Sequence, residues 1–306
     1  MCNICDCDGG LKSLGEAGCP ALFGRAYKYV FTTYFKSDGT VNELDLSSNP
    51  TLNKAYFDAL LRANDPWIPS PEVMNYNTER EDDKFEEFNN GTLSLFVQQG
   101  KRSVDGIWVN ISANIAGIIK EYNCYNVGFY VITDLGQLIG MEGSGYKKLA
   151  PIKIEKGSFS SKLMMQTNVA LTVQKAMVKF NYDVTMCDSK LKMISPDSFT
   201  NYDIKSLMGL VQVQIKAFAS ATSTSVKVVL DTNQGAITDP ILVEGLAAGD
   251  FTLYNISDAA SVSITSVSET LGQYTIVYSA QTAGDKMRMT AEKDGYKILD
   301  YYYLAV

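Results

Sequence analysis

The chain has 306 residues, 46% of them hydrophobic and 20% charged, with a formal net charge of −7 and no histidine. That length suits one large domain or two ordinary ones with sizeable cores, and the composition excludes extensive disorder. The acidity disfavours tight nonspecific nucleic-acid binding, and the missing histidine removes Ser-His-Asp and Cys-His catalysis, His-based zinc sites and histidine acid-base chemistry together, so no enzyme is expected.

The chain opens "MCNICDCDGG", with neither a basic nor an apolar leader segment. No apolar run anywhere reaches the ~18 residues needed to span a bilayer. A protein without membrane partners is expected, made and kept in the cytosol or leaving it without a signal peptide. Cys2, Cys5, Cys7 and Cys19 form the most motif-like object in the sequence. A four-thiolate zinc site uses two C-x2-4-C knuckles, and only Cys2 and Cys5 make one. Disulfides are disfavoured where thiols stay reduced. The expectation is an N-terminal arm over residues 1–20 with reduced thiols and neither metal nor cofactor.

Residues 25–44, "RAYKYVFTTYFKSDGTVNEL", read as a strand closed by the Asp38-Gly39 turn. Leu52, Tyr56, Ala59, Leu60 and Ala63 then predict a short helix, with Ser48 or Asn49 as cap and Pro66 as stop. From Trp67 to Tyr182 the punctuation is that of a β protein. Asn90-Gly91, Asp105-Gly106 and the glycines at 140, 143 and 145 read as turns between the runs "TLSLFVQQ", "GIWVNI", "VGFYVIT", "KLAPIKIE" and "NVALTVQKAMVKFNY". Ile111, Ile115, Ile118 and Ile119 suggest a second short helix. "LMGLVQVQIKAF" alternates with period two and reads as the end of a first domain, residues 21–218. The small residues of "ASATSTSVKV" predict a linker at 219–225. About six short strands over 226–306 then fit an immunoglobulin-like sandwich lacking the Cys…Trp…Cys signature. Residues 221–306 carry 10 acidic and 5 basic side chains. The fold expected is therefore all-β with one or two short helices, a sandwich or barrel followed by an immunoglobulin-like sandwich.

"NTEREDDKFEEFNNG" is the main candidate site. On a single strand, alternation puts Glu79, Glu81, Asp83 and Glu87 on one side and Arg80, Asp82, Lys84 and Glu86 on the other. Paired carboxylates serve glycosidases and hard-metal sites, but so dense a run specifies neither, and the calcium-loop pattern is absent. The plain alternative is a solvated charged strand. "GMEGSGYKK" lacks the G-K-[ST] of a phosphate loop and reads as a turn. Met164-Met165 and the Met287, Met289 alternation read as core.

With these parts in order, the chain resembles a major tail tube protein of long, non-contractile phage tails. The resemblance is carried by the polar arm before "YKYVFTTYF", the helix-containing insertion, the acidic-then-hairpin segment "NTEREDDKFEEFNNGTLSLFVQQGKRSVDGIWV", the closing strand "VALTVQKAMVKFNYD" and the appended sandwich. It implies a β-sandwich or barrel-like protomer, six of which form a ring around a channel. The rings stack into a tube in the virion tail, assembled in the bacterial host cytoplasm. Partners would be further copies of the chain, other tail proteins, and DNA that passes without specific binding. The carboxylates Glu79, Glu81, Asp83 and Glu87 would then face the channel or a ring-to-ring contact, and Lys101 and Arg102 of a neighbour are candidate inter-subunit cations. Residues 184–210 are longer than a hairpin within such a protomer needs. Two other readings share the composition: a different virion component, such as a head decoration, capsid or tail terminator protein, and a surface-binding protein with an immunoglobulin-like module.

Overall fold

The computed structural model describes residues 22–88, 93–98, 100–165, 174–186 and 188–305. The chain divides into two compact units, Met1–Gly209 and Leu210–Val306. The expected N-terminal arm and its four cysteines lie outside the described residues.

The first unit begins with β1 (Ala26–Thr33), β2 (Leu44–Asp45), the helix α1 (Lys54–Arg62), β3 (Ile68–Pro69) and β4 (Met74–Arg80). A hairpin, β5 (Lys84–Phe88) and β6 (Leu93–Gln98), leads to β7 (Arg102–Val109) and the helix α2 (Ala113–Glu121). Then come β8 (Val127–Thr133), β9 (Leu138–Glu142), β10 (Lys148–Ala150), β11 (Ile152–Lys153), β12 (Ser160–Met164), β13 (Lys175–Asn181) and β14 (Leu191–Ile194). Among the described residues these make an eight-stranded sheet in the order β2-β10-β9-β8-β1-β3, with β11 on β8 and β14 on β9. A four-stranded sheet, β12-β13-β7-β4, and the separate β5-β6 pair complete the unit.

The two larger sheets face each other across an aromatic core. Tyr29 and Phe31 from β1 and Phe129 from β8 meet Trp108 from β7 and Phe180 from β13. Phe180 is fully buried and packs its ring 5.0–5.8 Å from those of Tyr29, Phe31, Phe129 and Phe159, in tilted and edge-on geometries that suit aromatic quadrupoles. The continuous apolar run of β8 is buried along its whole length because the eight-stranded sheet is covered on both faces. On its outer face Tyr130 meets Trp67 at 4.9 Å, and Phe57 of α1 packs on Trp67 and stacks on Tyr202. This explains the long 184–210 segment, which supplies β14 to the sheet and folds Phe199, Tyr202 and Ile204 over that same face. Lys28 is buried there, its ammonium donating to the carbonyls of Lys205 and Leu207 at 2.7 and 3.2 Å.

Several local expectations move along the chain or change character. The cap of α1 is Asn53, whose side chain accepts from the Tyr56 amide, so Ser48 and Asn49 play no such part. Its buried residues are Phe57 and Leu61, while Ala59 and Ala63 are exposed. Asp105-Gly106 is no turn but the middle of β7, where a Gly106 β-carbon would sit 2.8 Å from Val73 Cγ1. Glycine is there to admit the Val73 side chain. Asp38-Gly39 does form its turn, with Gly39 at φ 82°. The turn at Asn90-Gly91 and the start of "NVALTVQ" lie outside the described residues. Met165 is 74% exposed rather than core, since β12 ends the smaller sheet just before it.

The second unit comprises β15 (Val211–Ala217), β16 (Ser225–Asp231), β17 (Phe251–Asn255), β18 (Ala260–Val262), β19 (Ile264–Thr270), β20 (Gln273–Tyr278), β21 (Lys286–Ala291), β22 (Tyr296–Ile298) and β23 (Tyr301–Leu304). One sheet runs β19-β20-β16-β15-β22 and the other β18-β17-β21-β23. The first strand pairs antiparallel with the second and parallel with the last portion of the chain, which is the strand order of an immunoglobulin sandwich. Val226, Val228 and Leu230, Tyr274, Ile276 and Tyr278, and Met287 and Met289 alternate inward from three strands to fill the core. The domain boundary thus falls at Gly209 and not after Phe218. The small residues at 219–225 are the hairpin turn between β15 and β16, held by Thr222 and Ser225, rather than a linker.

Candidate functional site

The acidic run does not form one strand. Glu79 is on β4, where Asn77 Nδ2 donates to its Oε1 at 2.8 Å and Ser103 lies opposite. The ladder with β7 ends as the Glu81 amide donates to the Lys101 carbonyl at 2.8 Å. Residues 81–83 then leave the sheet, and the chain re-enters extended structure in the β5-β6 hairpin, which carries Glu87 opposite Ser94. The face Glu79, Glu81, Asp83, Glu87 expected from strict alternation is therefore interrupted. The reason is geometric: a break in the ladder resets the period-two count. Glu79, Glu81 and Glu87 remain exposed, whereas Asp83 turns in to accept the Gly100 amide at 2.8 Å and lies 3.7 Å from Arg80.

This crossing is the root of the hairpin, and ion pairs within the chain clamp it. Arg102 meets Asp188 at 2.5 Å with its guanidinium 5.5 Å from the Tyr182 ring centre, and Arg80 reaches the other Asp188 oxygen at 3.8 Å. Lys101 donates to both Glu155 oxygens at 2.9 and 3.3 Å, and Asn181 Nδ2 adds a third bond to that carboxylate. Lys101 and Arg102 thus each have a carboxylate partner within the chain. These bonds, led by that from Lys101, hold Glu155 below the usual carboxylate range, and the same pairing raises Lys101. Burial works against the charge on Asp183, but bonds from Thr185 and Lys153 outweigh it and its pKa is also lowered. Carboxylates held ionised at neutral pH suit a clamp. Asp188, Glu155 and Asp183 carry no local signal in the sequence, because each finds its cation through tertiary contacts 54 or more residues distant in two cases and 30 in the third.

Beyond the root, the hairpin joins neither larger sheet among the described residues and exposes apolar side chains. Phe85, Leu95 and Val97 are 59%, 49% and 58% exposed. In the β9-β10 turn, the Ser144 amide and hydroxyl both donate to the Glu43 carboxylate, an arrangement opposite in charge to a phosphate cradle. Among the described residues no group of three or more Asp, Glu, Cys or His is placed to hold a metal ion, and no helix is long and apolar enough to cross a membrane.

No family model matches the chain, and no curated protein matches it. Among solved structures, the chain is similar to one in the cryo-EM structure of the anti-feeding prophage baseplate, 6-fold symmetrised. The identity is 10%, covering 59% of this chain and 99% of that one, with a TM-score of 0.27. So low a score carries no argument about fold or role.

Proposed function

We propose that the chain is a non-catalytic structural protein of a phage virion, which associates with copies of itself into the stacked rings of a tail tube. The observation that carries this reading is the β5-β6 hairpin. A two-stranded hairpin alone is marginal in water, yet this one is fixed firmly at its root while presenting Leu95 and Val97 to solvent. Leu95 and Val97 are 49% and 58% exposed, so burying what remains against a neighbouring copy contributes about 0.8–1.5 kcal/mol each, half the value for a fully exposed side chain. The smaller sheet also ends at β12 without a further strand among the described residues, an edge that a neighbour's strand would satisfy. Exposed Glu79, Glu81 and Glu87 fit a channel wall that repels phosphates, so that DNA passes without sticking. Further tail proteins would cap the tube, which forms in the bacterial host cytoplasm.

Negative-stain microscopy of the purified protein tests the reading. Rings or tubes are expected, and the double variant Leu95→Asp/Val97→Asp should remain a folded monomer. A native chain that stays monomeric across the micromolar range, or a double variant that assembles normally, overturns it. Charge reversal of Glu79 and Glu81 to Lys then separates the two roles of the acidic segment: a channel wall still assembles but slows DNA, whereas a ring contact fails in a salt-dependent way.

A further inference from the structure

Three connections meet at one end of the second unit. β16 pairs with β20 in the register Val229 to Gln273, so the segment that leaves β16 at residue 232 starts beside the β19-β20 turn. The register Phe251 to Ala291 puts the far end of that segment beside residue 292, where the Glu292 amide donates to the Asp250 carbonyl at 2.9 Å. Side chains tie the three together: the Gly245 amide donates to Glu269 Oε2 at 2.8 Å, and the Lys293 ammonium donates to the Glu244 carbonyl. Residues 232–241 double back on themselves, with the Thr232 amide donating to the Ile241 carbonyl and the Asp239 amide to that of Ala236, both at 3.1 Å, which leaves Ile237 at the tip.

This end presents large apolar side chains to water. Ile237 is fully exposed, Leu271 is 83% exposed and Ile241 55%. Leu271 is also a poor choice for its turn. Thr270 and Gln273 pair across a two-residue loop in which Leu271 has φ 51° and Gly272 φ 72°. Positive φ at both central positions is the geometry that Asn-Gly satisfies, whereas in the left-handed region a leucine β-carbon crowds the following carbonyl oxygen. Gly272 has a packing reason, since a β-carbon there would lie 2.7 Å from Leu242 Cβ. Leu271 gains little burial in return for its strained backbone. Strain of this kind, kept at an exposed apolar residue, points to a contact made with something outside the unit.

We propose that this end docks a protein whose contact surface has an apolar centre and a rim of lysine or arginine. Ile237, Ile241 and Leu271 supply the apolar centre on this side. The rim is acidic: residues 232–250, 269–273 and 292–295 carry Asp239, Glu244, Asp250, Glu269, Glu292 and Asp294, against the single cation Lys293. The remainder of residues 221–306 carries four acidic and four basic side chains, so the acidic excess of that stretch sits wholly at this end. Lys216 reaches the same end but is paired with Asp231 at 2.6 Å. Nucleic acid and anionic lipid are repelled by such a rim, and a neutral glycan has no use for its charge. A basic protein surface is both steered to the rim and able to bury the three aliphatic side chains. The inference stands on the second unit alone and does not depend on the tube reading.

The test is fluorescence anisotropy of the full chain with a labelled amphipathic peptide that carries leucines on one helical face and lysines flanking them. Two control peptides separate the contributions: serine in place of leucine keeps the charge, and glutamate in place of lysine keeps the apolar face. The leucine-lysine peptide should bind at least tenfold more tightly than either control, and more weakly as salt rises. Leu271→Asn should lose at least fivefold in affinity while the melting temperature rises by about 2–4 °C, because asparagine suits the turn. Ile237→Ser should lose several-fold with unchanged melting, and Glu244→Gln should reduce the salt dependence. Val184→Ser, at a 61% exposed position of the first unit, should bind as the native chain does. Equal binding of the serine control, native affinity in Leu271→Asn and Ile237→Ser, or an equal loss in Val184→Ser overturns the proposal. A lower melting temperature in Leu271→Asn also overturns it, because the leucine would then serve the fold.

Discussion

Replacing Gly100 with alanine places a β-carbon 1.6 Å from the Glu81 carbonyl oxygen, 2.5 Å from the Glu81 carbonyl carbon and 3.0 Å from that of Asp82. All three are main-chain atoms, so no side chain can rotate aside. The two segments must part by about 1.5–2 Å before an ordinary non-bonded contact is restored. Parting them disrupts two hydrogen bonds of 2.8 Å, from the Glu81 amide to the Lys101 carbonyl and from the Gly100 amide to Asp83. Two such bonds contribute about 0.5–1.5 kcal/mol each, and overpacking strain adds about 1–3 kcal/mol. A loss of about 2–6 kcal/mol follows, shared between global stability and the local order of the hairpin. Urea unfolding gives the first part, hydrogen exchange over residues 84–98 gives the second, and negative-stain microscopy reports assembly. The Trp108 core lies away from the clash, so a native-like fold with a loosened hairpin and no tubes is the expected result. A change below about 0.5 kcal/mol together with normal hairpin protection would refute the steric account of the root.

Four further outcomes are expected. A chain ending at Gly209 should fold and assemble, whereas one ending at Phe218 should be less soluble, because it keeps β15 with Val213 and Ile215 stripped of their sandwich; equal solubility by sedimentation would argue against the boundary. Phe180→Ala should cost about 3–5 kcal/mol in denaturant unfolding, since four surrounding rings cannot close the cavity. Because the folded state lowers the Glu155 pKa, its contribution to stability is present above the unfolded value and fades as pH falls through the folded one. Glu155→Gln should therefore melt below the native protein at pH 7, with the gap closing toward pH ~3; a gap that widens in acid would contradict the pairing with Lys101. Changing Cys2, Cys5, Cys7 and Cys19 to Ser should leave the melting temperature unchanged, and stoichiometric zinc or iron lost with those thiols would show a structural metal instead.

Much of the β character was open to reading because it is local. "VGFYVIT" corresponds residue for residue to β8, and the alternation of "SVKVVLD", "QYTIVY" and "KMRMTA" marks three strands of the second sandwich with the correct residues inside. Asp38-Gly39 announces its turn because only a few residue types tolerate the backbone there. Asp105-Gly106 shows the opposite case: the same kind of pair sits in mid-strand because a valine from another segment occupies the space of the missing side chain.

The sequence by itself determined the strand-rich class, the presence of two units, the two helices and the core alternation, since each follows from side-chain period and backbone preference within a few residues. Only the tertiary structure decided which strands belong together. β15 has the same period-two pattern whichever sheet it joins, and its assignment to the second unit comes from a parallel pairing with β22, about 85 residues later. The charges at the hairpin root follow the same rule. Nothing near Lys101 or Arg102 in the chain distinguishes a free cation from a paired one, and their partners Glu155 and Asp188 are brought to them only by the closing of the sheets. Hydrogen-bond ladders and ion pairs between distant segments depend on which surfaces the cores bring together, and that information is spread over the whole chain rather than held in any stretch of it.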